Sequence, residues 1–310
     1  MSLAMVFPGQ GSQSIGMLTA YYEDNPQVKA TFDEASAVLG YDLWDVVSSG
    51  PAEKLNSTDV TQPAMLAAGV AVWKLWNEKN GEQPVVMAGH SLGEYTALVC
   101  AGVIDFKDAI KLVSARGKYM QEAVPAGTGS MAAILGLDDD AVREVCSAAT
   151  SAEQIVEAVN YNSPGQVVIA GHTDAVEKAT VLAKEKGAKR AVILPVSVPS
   201  HCQLMKPAAD KLAADLKAIN FSEPTVPVLN NVDVNAENSA DQIKQALVRQ
   251  LYQPVRWVEI IQSMANQGVD RILECGPGKV LWGLNKRIDK TLTHAALTDS
   301  AAIDAQISNG

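Results

Sequence analysis

The sequence predicts an α/β protein: a core built on a mainly parallel sheet, interrupted by an inserted βαββαβ subdomain of ferredoxin-like type. Three observations carry this. Short apolar runs such as "AMVF" and "PVVMAG" alternate with segments whose apolar residues recur every three or four positions, as strands alternating with packed helices require. The stretch "VMAGHSLGEYTALV" passes sharply from strand to helix around two glycines. Residues 127–197 follow a rhythm of their own. With 310 residues, the chain has the length for one large domain carrying a smaller one.

In chain order, "AMVFPGQGSQ" reads as a buried strand ending in a turn at Gly9 and Gly11. Helical spacing follows around 26–39 and 63–77. After the strand–turn–helix at 85–103, a helix over about 106–122 carries Ile110, Leu112, Val113 and Met120 on its apolar face, with Arg116 among them. It stops at "VPAGTGS", where proline and glycine break the pattern. The insertion then reads "SMAAILGL" as strand, "DDDAVREVCSAA" as helix, "IVEAVN" and "GQVVIAG" as strands, "DAVEKATVLAKEKGA" as helix and "RAVILPVS" as the closing strand. The large domain, residues 1–126 and 198–310, resumes with "PVLNNVD" and "RILECGPG" as further strands between helices.

Composition narrows the function. The chain is 47% hydrophobic and 19% charged, and no apolar run approaches the ~20 residues of a membrane helix. "MSLAMVFPGQG" enters a strand-like run at once, against a secretory signal. Cys100, Cys146, Cys202 and Cys275 are widely spaced and form no C-x-x-C, which argues against a metal site and for a reducing, cytoplasmic setting. A net charge of −10 argues against nucleic acid, since phosphate is repelled on average. "DDD" at 138–140 reads as helix-start charge, "KEKGAKR" as a solvated helix end, and the five tryptophans as core.

"GHSLG" matches the G-x-S-x-G elbow, in which a serine sits at the crest of a tight turn between strand and helix. Ser91 is then a candidate nucleophile, and the amide of Leu92 at the helix start can face an oxyanion. The base is sought among four histidines. His90 adjoins the serine, His172 follows a strand of the insertion and His294 stands alone near the C-terminus. His201, in "VSVPSHCQLM", lies where the insertion returns to the large domain, and elimination favours it. Cys202 beside it is a rival nucleophile with poorer geometry. Between Ser91 and His201 no acid is evidently placed to hold an imidazole, which points away from a standard esterase.

Taken together, "FPGQGSQ" at 7–13, "GHSLGEY" at 89–95, Arg116, "NSPGQVVIAG" at 162–171, "VPSH" at 198–201, "VRQLYQPVRW" at 248–257 and "ECGPGKVL" at 274–281 span the chain. In this ordered set the sequence resembles the malonyl-CoA:acyl carrier protein transacylases of fatty-acid synthesis. The resemblance implies an α/β-hydrolase-like core. It implies Ser91 as nucleophile, His201 as base, the amides of Gln10 and Leu92 as oxyanion hole, and Gln250 orienting the histidine through a neutral oxygen. It also implies Arg116 as holder of the malonyl carboxylate, with His90, Asn160 and Asn162 lining the pocket. The expected substrate is malonyl-CoA, with no cofactor or metal, and the partner an acidic carrier protein that docks transiently on a monomeric enzyme. A cationic rim for it is sought at Lys189 and Arg190, and at Lys286, Arg287 and Lys290. Two other readings remain open at this stage: an acyltransferase of polyketide synthesis, against which Val198-Pro199-Ser200 speaks, and a serine esterase or thioesterase with no use for Arg116.

Overall fold

The computed structural model describes residues 2–196 and 198–308. Five parallel strands form the main sheet: β1 (Leu3–Phe7), β2 (Val86–Gly89), β7 (Val228–Leu229), β8 (Arg271–Cys275) and β9 (Thr293–Leu297), in the order β7-β2-β1-β8-β9. Every residue of β1, β2 and β8 is buried, as expected of a parallel sheet covered on both faces. Period-two alternation divides β1 between two cores. Leu3, Met5 and Phe7 face the larger one, with the long helix Thr58–Glu78 and the helix Phe106–Glu122. Ala4 and Val6 face Trp257, Ile260, Ile261, Met264, Leu281 and Leu284 on the other side.

The insertion holds the second sheet: β3 (Gly129–Leu135), β4 (Val156–Ser163), β5 (Gln166–His172) and β6 (Arg190–Ile193), antiparallel throughout, in the order β4-β5-β3-β6. Its two helices, Asp139–Ala149 and Thr173–Glu185, cover one face through Val142, Val145, Val176 and Ala179 against Ala132, Ile134, Val167 and Ile169. The opposite face, with Met131, Val159, Val168 and Ala170, packs on Cys202 of the large domain. Asn160 and Val255 form a parallel bridge that ties β4 to that domain. The helix-start reading of "DDD" holds, with Asp138 accepting the Ala141 amide at 2.8 Å.

Two expectations are adjusted, and one strand was not foreseen. The closing strand ends at Ile193, before Pro195, which has no N–H for a ladder; its expected end at Ser197 lies outside the described residues. The helix expected from 63 begins at Thr58, with Pro63 inside it. "THAAL" at 293–297 is a parallel edge strand with no clear alternation to betray it.

The parallel order places the site. Phe7 pairs with Gly89, so the segments leaving the carboxyl ends of β1 and β2 run side by side. One carries Gly9 and Gln10, the other Ser91 and Leu92. Ligands of open parallel sheets bind in such crevices.

Candidate active site

The elbow is built from close backbone approaches. A β-carbon on Gly93 would collide with the carbonyl of Phe7, and one on Gly9 with the carbonyl oxygen of His90. Only glycine lets the loop after β1 lie against the nucleophile's turn. Gly9→Ala is therefore expected to push the Gln10 loop outward, with roughly 1–3 kcal/mol lost in denaturant unfolding.

Ser91 sits at φ 52°, ψ −108°, sparsely populated for a residue with a β-carbon and worth about 1–3 kcal/mol of strain. Side chains from distant segments over-determine it. Asn231 Oδ1 accepts the Ser91 amide at 2.8 Å, Asn231 Nδ2 donates to the Gly89 carbonyl at 2.7 Å, and Gln250 Nε2 donates to the Ser91 carbonyl at 3.0 Å. The amides of Gln10 and Leu92 have no acceptor among the described residues. Both residues line the small cavity, about 110 Å³, that also holds Ser91, His90, Arg116, Asn160 and His201.

His201 also has a positive φ, 66°, and its amide donates to the Leu251 carbonyl at 3.0 Å. Nδ1 lies 2.6 Å from the Gln250 backbone oxygen and Nε2 2.8 Å from Ser91 Oγ. A carbonyl can only accept, so Nδ1 carries the proton and Nε2 is free to accept from the serine hydroxyl. The neutral oxygen expected from Gln250 is its main-chain carbonyl. Burial above all, then the Arg116 charge, drives the imidazole down to about 3, so it is neutral and proton-accepting across the ordinary pH range. Cys202 drops out as a rival: it is fully buried, and burial pushes its thiol up to about 12.

Arg116 is 1% exposed. Its Nη1 donates to Gln62 Oε1 at 2.8 Å, and Nη2 to Gln250 Oε1 at 3.1 Å and Ser91 Oγ at 3.3 Å; the guanidinium lies 5.2 Å from the Tyr95 ring. No carboxylate forms an ion pair with it among the described residues. Burying a cation against amide oxygens alone is costly, and the arrangement is one that an incoming anion relieves.

His90 Nε2 lies 2.7 Å from Asn162 Oδ1 and, since an amide oxygen only accepts, donates to it; burial lowers the pKa of this imidazole too. Asn160 Oδ1 is buried without a partner. Sequence reasoning missed Gln62, Asn231 and Glu94, which lock Arg116, the elbow and Gln250. Glu94 stands in the quoted "GHSLGEY"; Gln62 and Asn231 carry no local pattern.

The expected cationic residues Lys189, Arg190, Lys286, Arg287 and Lys290 are all exposed, and none forms an ion pair among the described residues. The fold joins two of the segments: Lys189 and Arg287 line one surface cavity of about 580 Å³ beside the Ser163–Gln166 turn. Arg287 donates to Ser163 Oγ and Gln166 Oε1, and Lys286 lies 4.5 Å from the Trp282 ring.

A strained serine beside a neutral imidazole, with a buried cation at its shoulder, suits an enzyme of the acyl-transferring class. Residues 4–303 match the acyl transferase domain family. The chain is 61% identical over 305 residues to a malonyl CoA-acyl carrier protein transacylase of Salmonella typhimurium, covering 98% of each, and 47% identical to that of Bacillus subtilis, covering 98% of this chain and 96% of the relative. Among solved structures it is similar to an acyl carrier protein S-malonyltransferase of Vibrio cholerae, with TM-score 0.96, 61% identity and 98% and 99% coverage. It is also similar to a malonyl-transacylase in complex with its type II PKS acyl-carrier protein, with TM-score 0.98, 59% identity and full coverage of both chains. The chain belongs to the malonyl CoA-acyl carrier protein transacylase family.

Proposed function

We infer that this protein transfers the malonyl group of malonyl-CoA to the phosphopantetheine thiol of an acyl carrier protein, through a malonyl ester on Ser91. The observation that carries the reading is Arg116: a buried guanidinium with no carboxylate partner among the described residues, 3.3 Å from Ser91 Oγ. Its planar fork matches a carboxylate through parallel hydrogen bonds. An esterase for simple acyl groups has no need of it.

In this mechanism Ser91 Oγ attacks the thioester carbon as its proton passes to His201 Nε2. The unsatisfied amides of Gln10 and Leu92 receive the tetrahedral oxyanion, each such donor being worth ~10²–10³ in rate. As the C–S bond breaks, the imidazolium returns its proton to the CoA sulfur. The carrier thiol then enters and the steps run in reverse, a ping-pong exchange. One thioester replaces another at nearly equal energy, so no metal, redox cofactor or ATP is called for. Water competes poorly because the imidazole leans on a carbonyl, whereas a carboxylate would make it more basic, and a thiol needs less help from a base than water does. The all-parallel sheet with its elbow, and the βαββαβ sheet order, support reading the fold as an α/β-hydrolase-like core with a ferredoxin-like insertion.

The test is intact mass spectrometry. Protein incubated with malonyl-CoA alone should gain one malonyl group, which added carrier protein should remove as malonyl carrier. Steady release of free malonate without a carrier would instead identify a hydrolase.

For the carrier, the unpaired cations around the Lys189–Arg287 cavity offer a docking rim for an acidic partner. Lys286→Glu with Arg287→Glu is expected to raise the KM for carrier about tenfold at low salt while malonyl adduct formation from CoA stays at the wild-type rate. An unchanged carrier KM removes this surface.

A further inference from the structure

The buried acid Glu94 has no part in the mechanism above. It is 2% exposed and lies on the helix Leu92–Cys100, three residues beyond the nucleophile. Its Oε2 accepts the Asn231 amide at 2.9 Å and Gln250 Nε2 at 2.8 Å. These two partners are the residues that hold the rest of the site. Asn231 clamps the Gly89 carbonyl and the Ser91 amide. Gln250 reaches three ways: its main-chain oxygen aims His201, its Nε2 also meets the Ser91 carbonyl, and its Oε1 accepts from Arg116.

An amide can turn over, and the direction of Gln250 decides what Arg116 meets. With Nε2 drawn to Glu94, Oε1 faces the guanidinium. With the amide reversed, an NH₂ would face a cation and an oxygen would face a carboxylate. Glu94 therefore sets the one orientation that serves both ends.

We propose that Glu94 is a positioning residue of the transfer reaction, fixing the Gln250 amide and Asn231 so that the strained nucleophile, the imidazole's carbonyl support and the carboxylate-binding guanidinium act as one unit. The proposal rests on the malonyl-transfer reading. It couples two properties that would otherwise be separable, hydroxyl activation and selection of a dicarboxylic acyl group.

The charged groups around Glu94 are few. Arg116 stands across the Gln250 amide and favours the carboxylate; Asp233 opposes it and is itself paired with Arg249. Burial lowers the pKa of both His201, to about 3, and His90, and Tyr95, next in the chain, is pushed up to about 12. Burial raises the Glu94 carboxyl to about 7, against the pull of its two donors. Both donors bind more firmly to the ionised form. Protonation on lowering pH through neutrality thus slackens the network, while His201, neutral down to about 3, is unchanged.

The test compares wild type, Glu94→Gln and Glu94→Ala for single-turnover loading by malonyl-CoA and acetyl-CoA over pH 5–9. Wild type should show malonyl loading that rises through a midpoint near pH 7. Glu94→Gln, which keeps an acceptor oxygen but cannot ionise, should retain most of the malonyl preference and lose that midpoint. Glu94→Ala should slow malonyl loading about 10²-fold and narrow the malonyl-to-acetyl ratio about tenfold, because a slipped guanidinium serves only the dicarboxylic substrate. A wild-type pH profile in Glu94→Gln overturns the proposal, and so does a folded Glu94→Ala with the wild-type acyl ratio. If Glu94→Ala does not fold, the Glu94→Gln profile decides alone. Failure of wild type to form any malonyl adduct would count against the transfer reading itself, and is seen separately.

Discussion

Ser91→Ala is expected to abolish the malonyl adduct and lower transfer by about 10⁴-fold or more, because among the described residues Ser91 carries the hydroxyl that is hydrogen-bonded to His201 Nε2, whereas Ser200, which also lines the cavity, has no such bond. His201 Nε2 and Arg116 Nη2 both point at the lost oxygen, at 2.8 and 3.3 Å. Cys202, the thiol next to His201 in the chain, is buried and donates to the Pro199 carbonyl. The fold should survive. Alanine suffers at φ 52° much as serine does, and the clamps from Asn231 and Gln250 grip backbone atoms, which the substitution leaves in place. Unfolding in denaturant should therefore shift by no more than about 1 kcal/mol. Residual stoichiometric labelling of a folded Ser91→Ala protein would mean the acyl group sits elsewhere.

How far the sequence could be read depended on whether the physics was local. The helix over Phe106–Glu122 is bounded as its spacing and its Asp105 cap dictate, and the insertion's six elements follow in the expected order because each has its own period and punctuation. Ser91 was legible for the same reason, since the elbow is a property of five adjacent residues. His201 needed elimination among four histidines and a resemblance, as its partner lies 110 positions away. Gln62, Asn231 and Glu94 were out of reach. Each acts by a hydrogen bond across 54 to 156 positions, and a buried glutamine in a helix looks like any other until its neighbours are known. The edge strand at Thr293–Leu297 failed for another reason: a half-buried edge with small residues shows neither the fully buried run nor the alternation that marks a strand.

Arg116→Ala carries the second large effect, and it falls on selectivity. In the proposed reaction the malonyl carboxylate would meet the guanidinium in a buried, low-dielectric site, where breaking such a pair typically costs about 3–5 kcal/mol, or two to nearly four decades in rate. Acetyl-CoA brings no carboxylate, and it must now occupy the site beside an unpaired cation; removing that cation should leave acetyl loading unchanged or faster. The malonyl-to-acetyl ratio of kcat/KM is thus expected to fall by about 10²–10⁴. The protein should tolerate the change better than loss of one partner of a buried ion pair. Gln62 and Gln250 each lose a donor at about 1–3 kcal/mol per stranded oxygen, but the desolvated charge is gone as well. Arg116→Lys should not restore the ratio, since an ammonium cannot span Gln62, Gln250 and a carboxylate in one plane. Competition assays with both thioesters, analysed by intact mass, measure the ratio directly, and a ratio equal to wild type in Arg116→Ala would break the link between this guanidinium and the choice of acyl group.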